Sequence, residues 1–188
     1  MFETQLVYGI LDTNEFKEIN DFVNGTEITW THIKDTTYEN GRTPSIDTPA
    51  FAHILLGHDG YRSPFLDKFT PLHQALMNRL DITPKNVFRM RLGFLLNTRY
   101  TFPSQPYVYN SPHKDADFDH LTAVFHFMHS DGNTVIFNQT EESDAYSIKE
   151  SIEPDQNMAV VFDGNYYHAS TCPKVFTKRI ALTINFTI

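Results

Sequence analysis

A single cysteine, Cys172, serves the whole 188-residue chain. One thiol can build neither an internal disulfide framework nor a multi-thiolate zinc cluster, and it suits a reducing compartment. Basic residues are also scarce: 15 Lys and Arg stand against 23 Asp and Glu, for a net charge of −8. Such a chain has no cationic footprint for a nucleic acid. No uninterrupted apolar run approaches the 18 residues of a membrane-spanning helix. The opening MFETQLVYGILDTNEF carries early acids instead of a basic-then-apolar order, so no secretory signal is expected and a cytoplasmic location is. No repeat or low-complexity tract appears. What is present is an ordinary globular composition, 40% hydrophobic and 20% charged, with sixteen Phe and nine Tyr to fill an aromatic interior or cleft. A chain of this length predicts one domain, 1–188.

The pattern changes character near residue 85. Before it, TNEFKEINDFVN (13–24) predicts a helix with Thr13 or Asn14 as cap and Glu15 in the first turn. Phe16, Ile19, Phe22 and Val23 share one face, and Gly25 is the stop. A second helix is predicted from Pro71, capped by Thr70, with Leu72, Leu76 and Leu80 in one stripe. Between them 26–33 alternates like a strand, and 34–48 is crowded with turn residues. After residue 85 about eight short strands are predicted, at 87–97, 107–113, 120–129, 133–138, 146–152, 158–163, 166–170 and 178–188. Mainly β structure behind N-terminal helices predicts a double-stranded β-helix, or jelly roll. Residues 85–188 would form its core and 1–84 its helical and loop support. On the last strand Ile180, Leu182, Ile184 and Phe186 form an apolar face. Arg179, Ala181, Thr183 and Asn185 form the other, which suits a polar cavity inside a roll better than open solvent.

His113 and Asp115, two apart in YNSPHKDAD, can share one face at a strand end. His168 follows the apolar run MAVVF, and Arg179 comes eleven positions later. Two imidazoles and one carboxylate are the facial triad of non-haem Fe(II) oxygenases, which leaves iron positions open. An arginine fork beyond them suits a cosubstrate carboxylate. Rival ligands fit less well. Asp117, Asp119 and His120 read as a solvated loop at the mouth, and His126 and His129 face opposite sides of one strand. His32, His53, His58 and His73 lack a partner set and read as surface or capped histidines.

On these residues the stretch from 85 to 188 resembles the 2-oxoglutarate/Fe(II)-dependent dioxygenases, in their prolyl-4-hydroxylase-like branch, and its short bacterial or phage members. HKD resembles the branch's His-x-Asp, and LTAVFHFMHSDGNTVIF its strand, acidic turn and strand. SIEPDQNMAVVFDGNYYHAS resembles the segment carrying the distal His, and RIALTINF the final strand with its cosubstrate Arg. The chain departs from the pattern at Asn133, in the second position of the paired glycine, and at Ala181, two after the Arg. The resemblance implies Fe(II) on His113, Asp115 and His168, with 2-oxoglutarate and O2 as cosubstrates. It implies Arg179 on the far carboxylate of 2-oxoglutarate, with Thr183 as hydroxyl partner. His126 stands where the branch often places a Tyr toward 2-oxoglutarate; a buried, hydrogen-bonded core histidine is the other reading. The implied reaction couples decarboxylation of 2-oxoglutarate to hydroxylation of a C–H bond, first of a peptidyl-proline, otherwise of a free amino acid or other small molecule. A metal-binding roll without chemistry is a third reading, but it needs neither Arg179 nor a polar inner face. Loop 34–48 and the aromatic segment 98–112 would flank the substrate or pack the roll, and Arg89, Arg91 and Arg99 read as substrate-carboxylate or surface ion-pair groups.

Overall fold

The computed structural model describes residues 2–33, 50–97 and 109–188. Ten strands and two helices lie in these segments. The strands are β1 (Gln5–Tyr8), β2 (Thr31–Ile33), β3 (Ala50–Leu56), β4 (Asn86–Leu96), β5 (Leu121–His126), β6 (Thr134–Phe137), β7 (Ile148–Ile152), β8 (Met158–Asp163), β9 (His168–Ser170) and β10 (Lys178–Thr187). The helices are α1 (Thr13–Asn24) and α2 (Thr70–Leu80). A major sheet runs in the order β1-β8-β5-β10-β4-β3-β2, and a minor sheet in the order β7-β6-β9. Every strand pairing among the described residues is antiparallel. This is the jelly roll predicted from the strand spacing. The N-terminal third supplies more than support, however, because β1, β2 and β3 extend the major sheet at both edges. No helix among the described residues is long and apolar enough to cross a membrane.

Strand alternation builds two cores from one sheet. Ala123, Phe125, Ala159, Val161, Ile180, Leu182, Ile184 and Phe186 point outward and pack with Ile19, Val23, Leu72, Leu76 and Met77 of the helices. Their alternate neighbours Val124, Val160, Phe162 and Ala181 point inward and meet Ile136 and Ile152 of the minor sheet. Leu182 and Phe125 are fully buried, and removing each such side chain from water contributes about 1.5–3 kcal/mol.

Local chemistry corrects several expectations. Asp12, not Thr13 or Asn14, caps α1: its carboxylate accepts from the amides of Asn14 and Glu15, and Glu15 reaches back to the Asp12 amide. Gly25 does end the helix. Thr70 is the first residue of α2 rather than its cap, because a 3-10 turn at Leu66–Phe69 runs straight into the helix. Only 31–33 of the alternating stretch 26–33 pairs as a strand. In the predicted strand 107–113, residues 107–108 lie outside the described segments, and 109–113 forms no strand beyond a single bridge from His113 to His168.

Candidate metal centre

The inner face of β10 meets that of β4 residue for residue: Arg179 opposite Leu95, Ala181 opposite Gly93, Thr183 opposite Arg91 and Asn185 opposite Arg89. On its other side Asn185 faces Thr122 and Thr183 faces Val124 of β5. A cavity opens above this row, lined by residues that include Arg89, Arg91, Gly93, Thr134, Arg179 and Thr183. A Cβ at Gly93 would meet nothing within 4 Å, so Gly93 and its neighbour Ala181 leave the floor low in front of the arginines.

His113, Asp115 and His168 line the same cavity. One ligand atom from each lies within 4.8 Å of the others, and this is the metal-competent cluster among the described residues. The spacing predicted the meeting, but not the backbone that makes it. His113 and Asp115 sit on an irregular segment whose one β-bridge is His113–His168, with both amides and carbonyls exchanged at 3.0 and 2.9 Å. The Nδ1 of His113 lies 3.1 Å from the Ser111 carbonyl, and that of His168 lies 3.3 Å from the Tyr166 carbonyl. Carbonyls only accept, so each Nδ1 carries the proton and each Nε2 presents a lone pair to the site. Nε2 of His168 is 3.4 Å from Asp115 Oδ2, and Nε2 of His113 is 3.9 Å from Oδ1.

Electrostatics keep His113 and Asp115 deprotonated. Burial, with help from His168, lowers the His113 imidazole to about 4. Burial alone would raise the Asp115 carboxyl, but the Arg89 guanidinium, and after it the adjoining His168, outweigh it and hold it well below the usual carboxylate range. Two imidazoles and a carboxylate, converging in a cleft, fit a first-row divalent ion.

Arg179 is buried at 7% exposure. Its Nη2 donates to Thr134 Oγ1 at 2.8 Å, while its Nε finds no partner among the described residues. Burial brings the guanidinium down to about 10. A buried cation with one neutral acceptor and an idle donor, facing a cavity, fits an anionic ligand. The hydroxyl it touches is Thr134, and Thr183 lines the cavity nearby. His126 is fully buried, does not line the cavity, and has both ring nitrogens without partners among the described residues. Burial and then the Arg179 charge hold it neutral, well below the usual imidazole range.

The remaining candidates resolve simply. His120 is buried rather than solvated, its Nδ1 on the Phe118 carbonyl at 2.7 Å. His53 is also buried, between the Thr29 carbonyl and Ser63 Oγ. His129 pairs with Asp155 at the surface, and Asp119 accepts from Asn165. Arg89 is the residue that sequence reasoning misplaced: its Nη1 donates to Asp115 Oδ1 at 2.7 Å. Its place on the cavity face was readable from strand parity with Arg91 and Gly93; its partner was not. The expected lid segments, 34–48 and most of 98–112, lie outside the described residues, as does Arg99.

No protein-family model matches the sequence, and no curated protein matches it. Solved structures do match the fold. A 2OG-Fe(II) oxygenase family oxidoreductase from Burkholderia pseudomallei aligns over 98% of this chain and 84% of its own, at TM-score 0.65 and 12% identity. The epimerase SnoN from nogalamycin biosynthesis, in complex with Fe3+, α-ketoglutarate and nogalamycin RO, aligns over 98% and 78%, at TM-score 0.63 and 13% identity. A prolyl hydroxylase from Trichoplax adhaerens, in complex with a hypoxia-inducible factor peptide fragment, aligns over 98% and 83%, at TM-score 0.60 and 11% identity. Across nearly its whole length, this chain has the jelly-roll fold of the 2-oxoglutarate-Fe(II) oxygenases.

Proposed function

We propose that the protein is an Fe(II)- and 2-oxoglutarate-dependent dioxygenase that hydroxylates a C–H bond. The observation that carries this reading is one cavity holding both the His113–Asp115–His168 donors and the buried, under-partnered guanidinium of Arg179. His113, Asp115 and His168 would hold the iron, which supplies the chemistry of O2 activation when bound with 2-oxoglutarate. Arg179 would grip the far carboxylate of 2-oxoglutarate through charge-assisted hydrogen bonds, with Thr183 on the cavity wall as hydroxyl partner. The low floor at Gly93 and Ala181 gives that ligand room. The buried walls orient it and keep water from the reacting centre.

The substrate reading we favour is a peptidyl-proline, on the resemblance of the HKD and RIALTINF segments and the likeness of fold to a peptide-bound prolyl hydroxylase. A free amino acid or other small molecule is the second reading, supported by the likeness of fold to SnoN with its bound nogalamycin RO. An anaerobic Fe(II) titration with 2-oxoglutarate tests the first claim: a visible metal-to-ligand charge-transfer band is expected, and its absence in folded protein rejects the oxygenase. Succinate release stimulated by proline-containing peptides, with one oxygen gained by mass, is expected next. Uncoupled turnover with such peptides beside hydroxylation of a free amino acid rejects the peptide reading.

A further inference from the structure

The two sheets treat the three donors unequally. His168 begins β9 of the minor sheet, and His113 is bridged to it. Asp115 has no strand of its own, yet its side chain is among the most buried at the site, 4% exposed. What holds it comes from the major sheet. Arg89, Asn185 and Thr122 stand side by side across β4, β10 and β5 and point into the roll. Arg89 Nη1 donates to Asp115 Oδ1 at 2.7 Å and to Asn185 Oδ1 at 3.0 Å. Asn185 Nδ2 donates to Asp115 Oδ2 at 2.8 Å and to Thr122 Oγ1 at 3.0 Å.

This row is closed. The Asn185 amide uses its oxygen on Arg89 and its nitrogen on Asp115 and Thr122, so it cannot flip without breaking all three bonds. Each carboxylate oxygen takes one donor and keeps a lone pair for an ion. Neutral donors alone would fix the carboxylate; an arginine also places a full positive charge against the anionic donor. That charge opposes each further positive charge on a bound ion, so it favours the lower oxidation state.

We propose that Arg89 and Asn185 are positioning residues of the metal centre: the cross-strand row locks the loop-borne Asp115 carboxylate in its ligating pose, and the Arg89 charge biases bound iron toward the ferrous state. The inference rests on the proposed metal site and adds two residues to it that touch the ion only through Asp115.

The test uses the full chain with Asn185→Ala, Arg89→Gln and Arg89→Lys, each checked for folding by circular dichroism. Mn(II), which does not change oxidation state under these conditions, probes the pose by competition with a chelating dye; spectroelectrochemistry of the Fe(II)-loaded protein probes the charge. Asn185→Ala alters no charge and is expected to weaken Mn(II) roughly 10- to 100-fold, the usual loss when a partner of a ligand is removed. Arg89→Gln is expected to lower the iron reduction potential, and Arg89→Lys to restore it. Should Asn185→Ala fail to fold, Arg89→Gln, on a side chain 15% exposed, carries the test alone. Folded Asn185→Ala with wild-type Mn(II) affinity overturns the positioning role, and an unchanged potential in Arg89→Gln overturns the charge role. Wild-type protein that binds no Mn(II) overturns the metal site and this inference together; wild-type binding with unaffected variants overturns this inference alone.

Discussion

Replacing Arg179 separates a ligand-binding guanidinium from a structural one. The side chain is 7% exposed, donates to one neutral hydroxyl at 2.8 Å, and leaves Nε idle among the described residues. A buried cation so poorly matched costs stability in the empty protein. It is repaid when a carboxylate arrives, because a hydrogen bond to a charged group is worth about 1.5–3 kcal/mol, or roughly 10- to 200-fold in affinity. With Mn(II) in place of iron and 2-oxoglutarate at about 100 times its Kd, the wild type should gain about 2.7 kcal/mol. For a chain of this size that is a rise in Tm of about 5–11 °C. In Arg179→Met the same ligand concentration would contribute only about 0.2–1.4 kcal/mol. The ligand-free Tm should stay level or rise, since the apolar stem remains and the buried charge does not. Differential scanning fluorimetry with and without 2-oxoglutarate reads both quantities. A ligand-induced shift that survives in Arg179→Met, or a ligand-free Tm that collapses, would refute the reasoning and make Arg179 a structural cation.

Three further outcomes are expected. His113→Ala and His168→Ala should each abolish Mn(II) binding measured by dye competition, while Cys172→Ala binds as wild type. His126 is held neutral below its usual 6.5, so the folded state binds fewer protons than the unfolded one on the acid side of that value, and stability should fall as pH drops from about 6.5. His126→Leu should remove up to about 1.4 kcal/mol per pH unit of that slope, as urea titrations between pH 7 and 5 would show. At Gly132 an added Cβ would come within 2.8 Å of the Thr171 carbonyl and 3.0 Å of Arg179 Cδ. Gly132→Ala should therefore cost about 1–3 kcal/mol and weaken 2-oxoglutarate binding, by thermal melt and ligand titration.

Legibility followed range. The alternation Ile180-Leu182-Ile184-Phe186 against Arg179-Ala181-Thr183-Asn185 is a property of one strand, and the structure puts the first set against the helices and the second toward the cavity. The α1 face of Ile19 and Val23 was equally local. The cap of α1 slipped by one residue because Asp12, Thr13 and Asn14 are all competent caps, and Asp12 had the partner Glu15 three positions on. Strand β3 escaped because FAHILL is too short and too evenly apolar for its period to declare helix or strand.

The sequence by itself determined the class of the fold, the donor types His113, Asp115 and His168, and the inward aim of Arg179. The donor types depend on residue chemistry, and the fold class and the aim of Arg179 on a period of two that any strand imposes. Tertiary structure alone decided what those side chains meet. Cross-strand register set Arg89 beside Asn185, brought both to Asp115, and gave Arg179 the hydroxyl of Thr134, 45 residues away. Register joins residues that are distant in the chain, and one strand's sequence carries no record of the residue that will stand opposite it.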